Sequence, residues 1–177
     1  VMIGEIRDGE TAQIAMRASL TGHLVLSTLH TNDAPGAISR LMQMGIEPFL
    51  LASCIIMTEA QRLYRRLCSA CKQERELPHD ILRLNQVDAS MFDDAVLYEP
   101  GGCPKCSGIG YRGRGALMEI LVADESVREL ILNEASSADI AARAIEAGML
   151  TLRDVGMLRV HDGGTTIEEV LRVTSRD

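Results

Sequence analysis

The chain has no tryptophan, two phenylalanines and three tyrosines, so aromatic residues make up only 3% of its 177 residues. Leu, Ile, Val, Ala and Met must build the core, and little is left for nucleic-acid bases to stack on. Positive charge is also scarce: 18 Lys and Arg face 25 Asp and Glu, a formal charge of −7. That balance argues against general binding to DNA, RNA or an anionic membrane. No apolar run approaches the roughly 18 residues that span a bilayer. The longest, Pro48 to Thr58, is short and flows into charged residues. The first residues do not read as a signal peptide. A G-x-x-x-x-G-K-[ST] phosphate loop is also missing from these residues.

What is present is globular in composition, 46% hydrophobic and 24% charged. The length suits one domain, or one domain with a small appendage. Val1-Met2-Ile3 is already an apolar run. Termini usually lie at a surface, so a chain that opens inside a strand is expected to be a fragment of a longer protein.

Val1 to Ile6 reads as a short buried strand. Gly9-Glu10-Thr11 opens a helix that Thr21-Gly22 stops. His23 to Leu29 (HLVLSTL) is apolar almost throughout, as a strand covered on both faces should be. Thr31-Asn32-Asp33 then supplies cap chemistry and Pro35 a first turn, for a helix ended by Gly45. A further helix is expected from Glu47-Pro48 to about Tyr64. Strand, helix, strand, helix at this spacing predicts an α/β fold with a parallel sheet and crossover helices. From Arg65 to about Arg114 the texture turns charged and glycine-rich, which predicts a small irregular subdomain. Ala116 to Val122 (ALMEILV) reads as a strand returning to the sheet. Four capped helices follow, opened by Asp124 or Ser126, by Ser136-Ser137, by Thr151 with Asp154, and by Thr166. In the last, Thr166 and Glu169 have the spacing of a capping box.

Five cysteines are an odd number, and four of them form Cys68-x-x-Cys71 and Cys103-x-x-Cys106. With no export signal, this pattern points to metal or redox chemistry over a disulfide scaffold. Two residues between thiolates let both sulfurs of a tight turn reach one ion at about 2.3 Å, and two such turns complete a tetrahedron. Four thiolates suit zinc or an iron–sulfur site, and paired knuckles favour zinc. Four protein thiolates leave no open position for water, so the site is structural in character. The 31 residues between the pairs exceed a usual ribbon spacing, so something is inserted there. Cys54 stands alone on an apolar face and reads as a small buried hydrophobe.

The sequence VMIGEIRD places Glu5 just past the first strand, where a parallel sheet directs side chains into its ligand crevice. His30 sits at the corresponding end of the second strand, so the two residues could flank one phosphate. Arg7 could serve a nucleotide or a subunit interface, or simply pair with Asp8 or Glu10.

At these residues the chain resembles the secretion ATPases, most nearly the type II secretion and type IV pilus assembly branch. GEIRD followed by ETAQIAMRASLTGHLVLSTLHTNDA resembles their Walker B and His-box region. The resemblance continues through GAISRLMQMGIEPFLLAS, AQRLYRRLC-x-x-C, C-x-x-C-SGIGYRGR and LRVHDGGTTIEEVLRVT. It implies the second half of a RecA-like P-loop NTPase domain (residues 1–66), a four-cysteine zinc subdomain (67–115), and a return strand with a C-terminal helical subdomain (116–177). It implies a hexameric motor that hydrolyses ATP with Mg2+ in the cytoplasm, held at the inner membrane through platform and assembly partners, without nucleic acid. By the same resemblance Glu5 polarises the attacking water and His30 senses the γ-phosphate. Gly4, Arg7 and His23 would support the nucleotide, and Cys68, Cys71, Cys103 and Cys106 would bind structural Zn2+. The family's phosphate loop lies upstream of GEIRD, so these 177 residues alone are expected not to turn over ATP. Two other classes compete. One is a non-enzymatic zinc module that binds nucleic acid or protein, supported by the basic run Arg62, Arg65, Arg66. The other is a thiol–disulfide protein.

Overall fold

The computed structural model describes residues 1–175. They gather into two units, each assembled from two separate stretches: residues 1–60 with 119–151, and residues 61–118 with 152–175. The expected division was into three consecutive stretches.

In the first unit, the segments around Met2 and Leu26 pair in parallel. Leu26 N–H donates to Val1 O at 3.0 Å, Ile3 N–H to Leu26 O at 2.9 Å, and Ile6 N–H to Thr28 O at 3.0 Å. Helix α1 (Gly9–Leu20) crosses between them, capped by the Asp8 carboxylate, which accepts from Thr11 N–H at 2.8 Å. That bond holds the Asp8 carboxyl below its ordinary range. The parallel pairing is the expected one, but the burial is not. Met2 is 81% and Leu24 62% exposed, because among the described residues nothing covers that face.

Helix α2 (Ala34–Gln43) starts at Asp33 and Pro35, and turns its buried Ala37, Ile38 and Leu41 inward. Helix α3 (Pro48–Cys54) is short. The helix expected to reach Tyr64 stops at Cys54, and strand β1 (Met57–Leu67) takes over. Ala60, Tyr64 and Leu67 are buried at helix-like spacing, yet exposure alternates from Met57 to Tyr64. The β-branched pair Ile55-Ile56 begins the extended stretch, with Ile55 at φ −73° and ψ 126°. Glu59, an acid out of place on a buried helix, lies on the exposed alternate of this strand. Helices α5 (Glu125–Leu132) and α6 (Ser137–Glu146) complete the unit, each started by its expected cap, Asp124 and Ser136. The Arg128 guanidinium donates to Ala52 O, and to Ile55 O at 3.1 Å. It thereby satisfies carbonyls that the end of α3 leaves open.

The second unit has a core of Leu82, Phe92, Leu97, Met157, Val160, Ile167 and Val170. These residues come from α4 (His79–Leu84), a 3-10 turn at Ala89–Phe92, β3 (Leu97–Glu99), α7 (Leu152–His161) and α8 (Ile167–Thr174). Strand β2 (Gln73–Arg75) pairs antiparallel with β3, Glu74 opposite Tyr98. The segment expected to be irregular thus shares an apolar core with the last two helices. Gly156 lets α7 close on α8: a Cβ there would lie 2.3 Å from Val170. Strand β4 (Tyr111–Val122) pairs with β1, and begins five residues before the expected Ala116.

Candidate functional site

Cys68 follows directly on β1 and Cys103 opens a 3-10 turn, so each pair sits on a tight backbone knuckle. Cys71 N–H donates to Cys68 O at 3.1 Å, and Cys106 N–H to Cys103 O at 3.1 Å. The second knuckle needs left-handed backbone at Ser107, Gly108 and Gly110. At Gly110 a side chain is excluded twice, by φ +75° and by Pro100, which a Cβ would meet at 2.2 Å.

The four Sγ atoms lie within 4.8 Å of one another. Cys68 to Cys103 is 3.9 Å, Cys71 to Cys106 is 3.7 Å and Cys103 to Cys106 is 3.8 Å. A tetrahedral site with metal–sulfur bonds of about 2.3 Å has edges of about 3.8 Å. Three of the six edges match that value and all lie within 4.8 Å, so these four residues could hold a metal ion. Disulfides would need sulfurs about 2 Å apart, so the thiols are free. The N–H groups of Cys103 and Gly110 each donate to Cys106 Sγ at 3.2 Å. Burial pushes the Cys106 thiol up, but these donors outweigh it and bring it down to about 6. Burial, then the thiols of Cys103, Cys106 and Cys68, push Cys71 up to about 12. One thiolate is thus stabilised by the backbone, while a full set of four calls for a cation. Cys54 stands apart, half-buried, donating from Sγ to Met16 O at 3.7 Å.

In the first unit, Glu5 and His30 stand at the same ends of the two parallel segments. His30 Nε2 faces Glu5 Oε1. Arg7 holds the other oxygen, Oε2, with Nε and Nη2 both at 2.5 Å. The salt bridge expected with Asp8 or Glu10 is not the one formed; Arg7 pairs with Glu5. Oε1 is closed to solvent and receives no hydrogen bond from the described residues. The side chains of His30 and Arg7 are 87% and 75% exposed, against 22% for Glu5. The arrangement is a sheltered carboxylate beneath two exposed side chains, the Arg7 guanidinium and the His30 imidazole. Gly4 O accepts from Thr28 Oγ1 at 2.8 Å, which locks the two segments in register beside Glu5. His23 is held elsewhere, on the turn after α1, with Nδ1 3.1 Å from Thr21 Oγ1 and 3.3 Å from Ala18 O.

Two buried acids escaped the sequence reading. Glu169, 1% exposed, does not return to the Thr166 backbone as a full capping box would. Only half of the box forms, Glu169 N–H donating to Thr166 Oγ1 at 3.2 Å. The carboxylate instead accepts from Arg65 N–H at 2.9 Å, from the Arg65 guanidinium at 2.6 Å and from the Arg172 guanidinium at 2.6 Å. Glu119, 5% exposed, accepts from Ala34 N–H at 2.8 Å. Its signal was visible: in ALMEILV an acid occupies the inward alternate between Leu117 and Leu121.

The family model described as "Type II/IV secretion system protein" matches residues 1–172. The type IV pilus assembly ATPase PilB of Myxococcus xanthus is 49% identical over 181 residues, covering 100% of this chain and 31% of that protein. The type II secretion system ATPase E of Vibrio cholerae is 49% identical over 174 residues, covering 98% of this chain and 34% of that protein. The chain spans about a third of the length of the curated relatives it matches. Among solved structures, the pilus retraction motor PilT with bound ADP superposes with a TM-score of 0.65 at 22% identity, over 99% of this chain and 39% of its own. The ATPase DotB of Legionella pneumophila gives 0.61 at 20% identity, over 97% and 37%. These two likenesses concern the α/β fold alone. With a matching model over nearly its whole length, the chain belongs to the type II/IV secretion system protein family.

Proposed function

We propose that this chain is the C-terminal part of an ATPase that powers type II secretion or type IV pilus assembly. The observation that carries this reading is the Glu5 carboxylate sheltered at the ends of two parallel segments, with His30 on one oxygen and Arg7 on the other. The two relatives at 49% identity are named as ATPases, which supports it. The first unit would supply the second half of a RecA-like domain, and upstream residues of the longer protein would hold ATP and Mg2+. Assembly would be hexameric, in the cytoplasm, against inner-membrane partners. No helix among the described residues is long and apolar enough to cross a membrane.

Phosphoryl transfer asks the protein mainly for positioning and charge stabilisation. Glu5 would orient the attacking water through Oε1 and receive its proton. His30, now facing that oxygen, would turn its ring toward the γ-phosphate and open the place where water sits. Arg7 would keep Oε2 fixed while this happens, and Gly4 would hold its strand in register. His23 would steady the turn at the far end of the second segment. The test is phosphate release from ATP by the full-length protein. Mg2+-dependent turnover is expected, and none under any oligomeric condition would overturn the reading.

The four cysteines would hold one structural Zn2+. Protein purified without chelator is expected to carry about one zinc per chain by elemental analysis. Cys103→Ser should lower that content and raise hydrogen exchange around both knuckles, while α1 and α2 keep their protection. Zinc far below one equivalent in the wild type would count against the site.

A further inference from the structure

Glu119 is a buried acid that the proposed chemistry does not use. A buried carboxylate is unfavourable unless its oxygens are well bonded. Here Oε1 accepts from Ala34 N–H at 2.8 Å, across 85 residues of sequence. From β1, Thr58 Oγ1 donates to Ala34 O at 2.9 Å. One peptide group on either side of Ala34 is therefore gripped by a side chain from each of two strands. Ala34 itself is 1% exposed.

The same bond resolves the start of α2. The first N–H groups of a helix have no partner within it. The first here, Ala34, is met by Glu119, the second position is Pro35 and has no N–H, and the third, Gly36, donates to Asp33 Oδ1 at 2.8 Å. Both carboxylates stand at the positive end of the helix dipole.

His30 lies just before this anchor. On its other side, Thr28 is tied to the first segment through Ile6 N–H and Gly4 O. Five residues, Leu29 to Asp33, thus span two fixed points, and His30 is among them. The geometry points to Glu119 as a positioning residue for His30, with Thr58 as its second hand. This rests on the reading of His30 as the γ-phosphate contact. Glu119 acts through the Ala34 backbone. It sets where the loop starts and so where the imidazole can reach.

A misplacement of about 1 Å near reacting groups costs up to roughly 100-fold in rate. In the full-length ATPase, Glu119→Ala is expected to lower kcat roughly 10- to 100-fold with KM for ATP within about twofold. Glu119→Gln keeps an oxygen that accepts from Ala34 N–H, and should restore most of that rate. The Ala34 amide should exchange faster in Glu119→Ala and at near wild-type rate in Glu119→Gln. If Glu119→Ala does not fold, Thr58→Val probes the same grip, with a smaller fall in kcat and faster exchange at residues 31–36. His30→Ala separates the two ideas. A slow His30→Ala beside a Glu119→Ala, or Thr58→Val, of wild-type kcat would overturn the positioning role and leave the reading of His30 intact. Wild-type turnover in His30→Ala would overturn the reading itself.

Discussion

On the proposed reading, Glu5→Gln in the full-length protein is expected to bind ATP nearly as the wild type does and to hydrolyse it roughly 10²- to 10⁴-fold more slowly. The amide fits the site. Its oxygen can take the two Arg7 donors that Oε2 takes now, and its NH2 can face His30 Nε2. Shape and contacts survive, while the charge that orients water and accepts its proton is lost. Single-turnover phosphate release, set beside nucleotide binding measured separately, reads the two effects apart. Unchanged release would move the base elsewhere and leave Glu5 as a register-setting acid at a strand end.

The second large effect concerns stability. Burial pushes the Glu169 carboxyl up, but hydrogen bonds from Arg172 and Arg65 outweigh it and hold it at about 2, against an ordinary 4.5. The folded form has the lower pKa, so this contribution is complete above pH 4.5 and is lost as pH falls from 4.5 toward 2. A displacement of that size corresponds to about 3 kcal/mol. Glu169→Ala should destabilise the second unit by a comparable amount, because it also strands the Arg65 N–H on β1. The cleaner comparison is with Glu169→Gln, which removes the titration. Denaturation midpoints of wild type and Gln variant should differ widely at pH 5 and draw together toward pH 2. A gap that stays constant over that range would show that the two guanidinium groups, 47% and 58% exposed, do not hold the carboxylate ionised.

The parts legible in the sequence were those governed by local rules. Asp33, Asp124 and Ser136 announce helix starts through side chains that bond within three residues. The C-x-x-C pairs announce a thiol cluster because two residues fix each turn. The strand β1 was not legible, because Ala60, Tyr64 and Leu67 fit a helical stripe and only pairing with β4 settles the matter. The exposure of Met2 and Leu24 was not legible either, since apolar composition says what a face prefers and nothing of what covers it. The two buried acids show the same limit at the site. Glu169 looked like a local cap, but its carboxylate finds Arg65 across 104 residues. Glu119 reaches Ala34 across 85. Such partners share no spacing that a linear pattern can carry.

Each unit is closed by a late piece of chain, and this sets an order on synthesis. Residues 1–60 wait for 119–151, and residues 61–118 wait for α7 and α8. A ribosome adding about 5–20 residues per second leaves the early stretch without its packing partners for several seconds. Throughout that interval Met157, Val160, Ile167 and Val170 are still unmade, so Leu82, Phe92 and Leu97 have no core to enter. The four thiols need no such wait. Once Cys106 and Gly110 have left the exit tunnel, both knuckles can form from local backbone bonds and take up a metal ion. If it takes up a metal ion, the four-thiol cluster would be the first fixed point of its unit, clamping residues 68–106 into a closed loop onto which the last two helices dock.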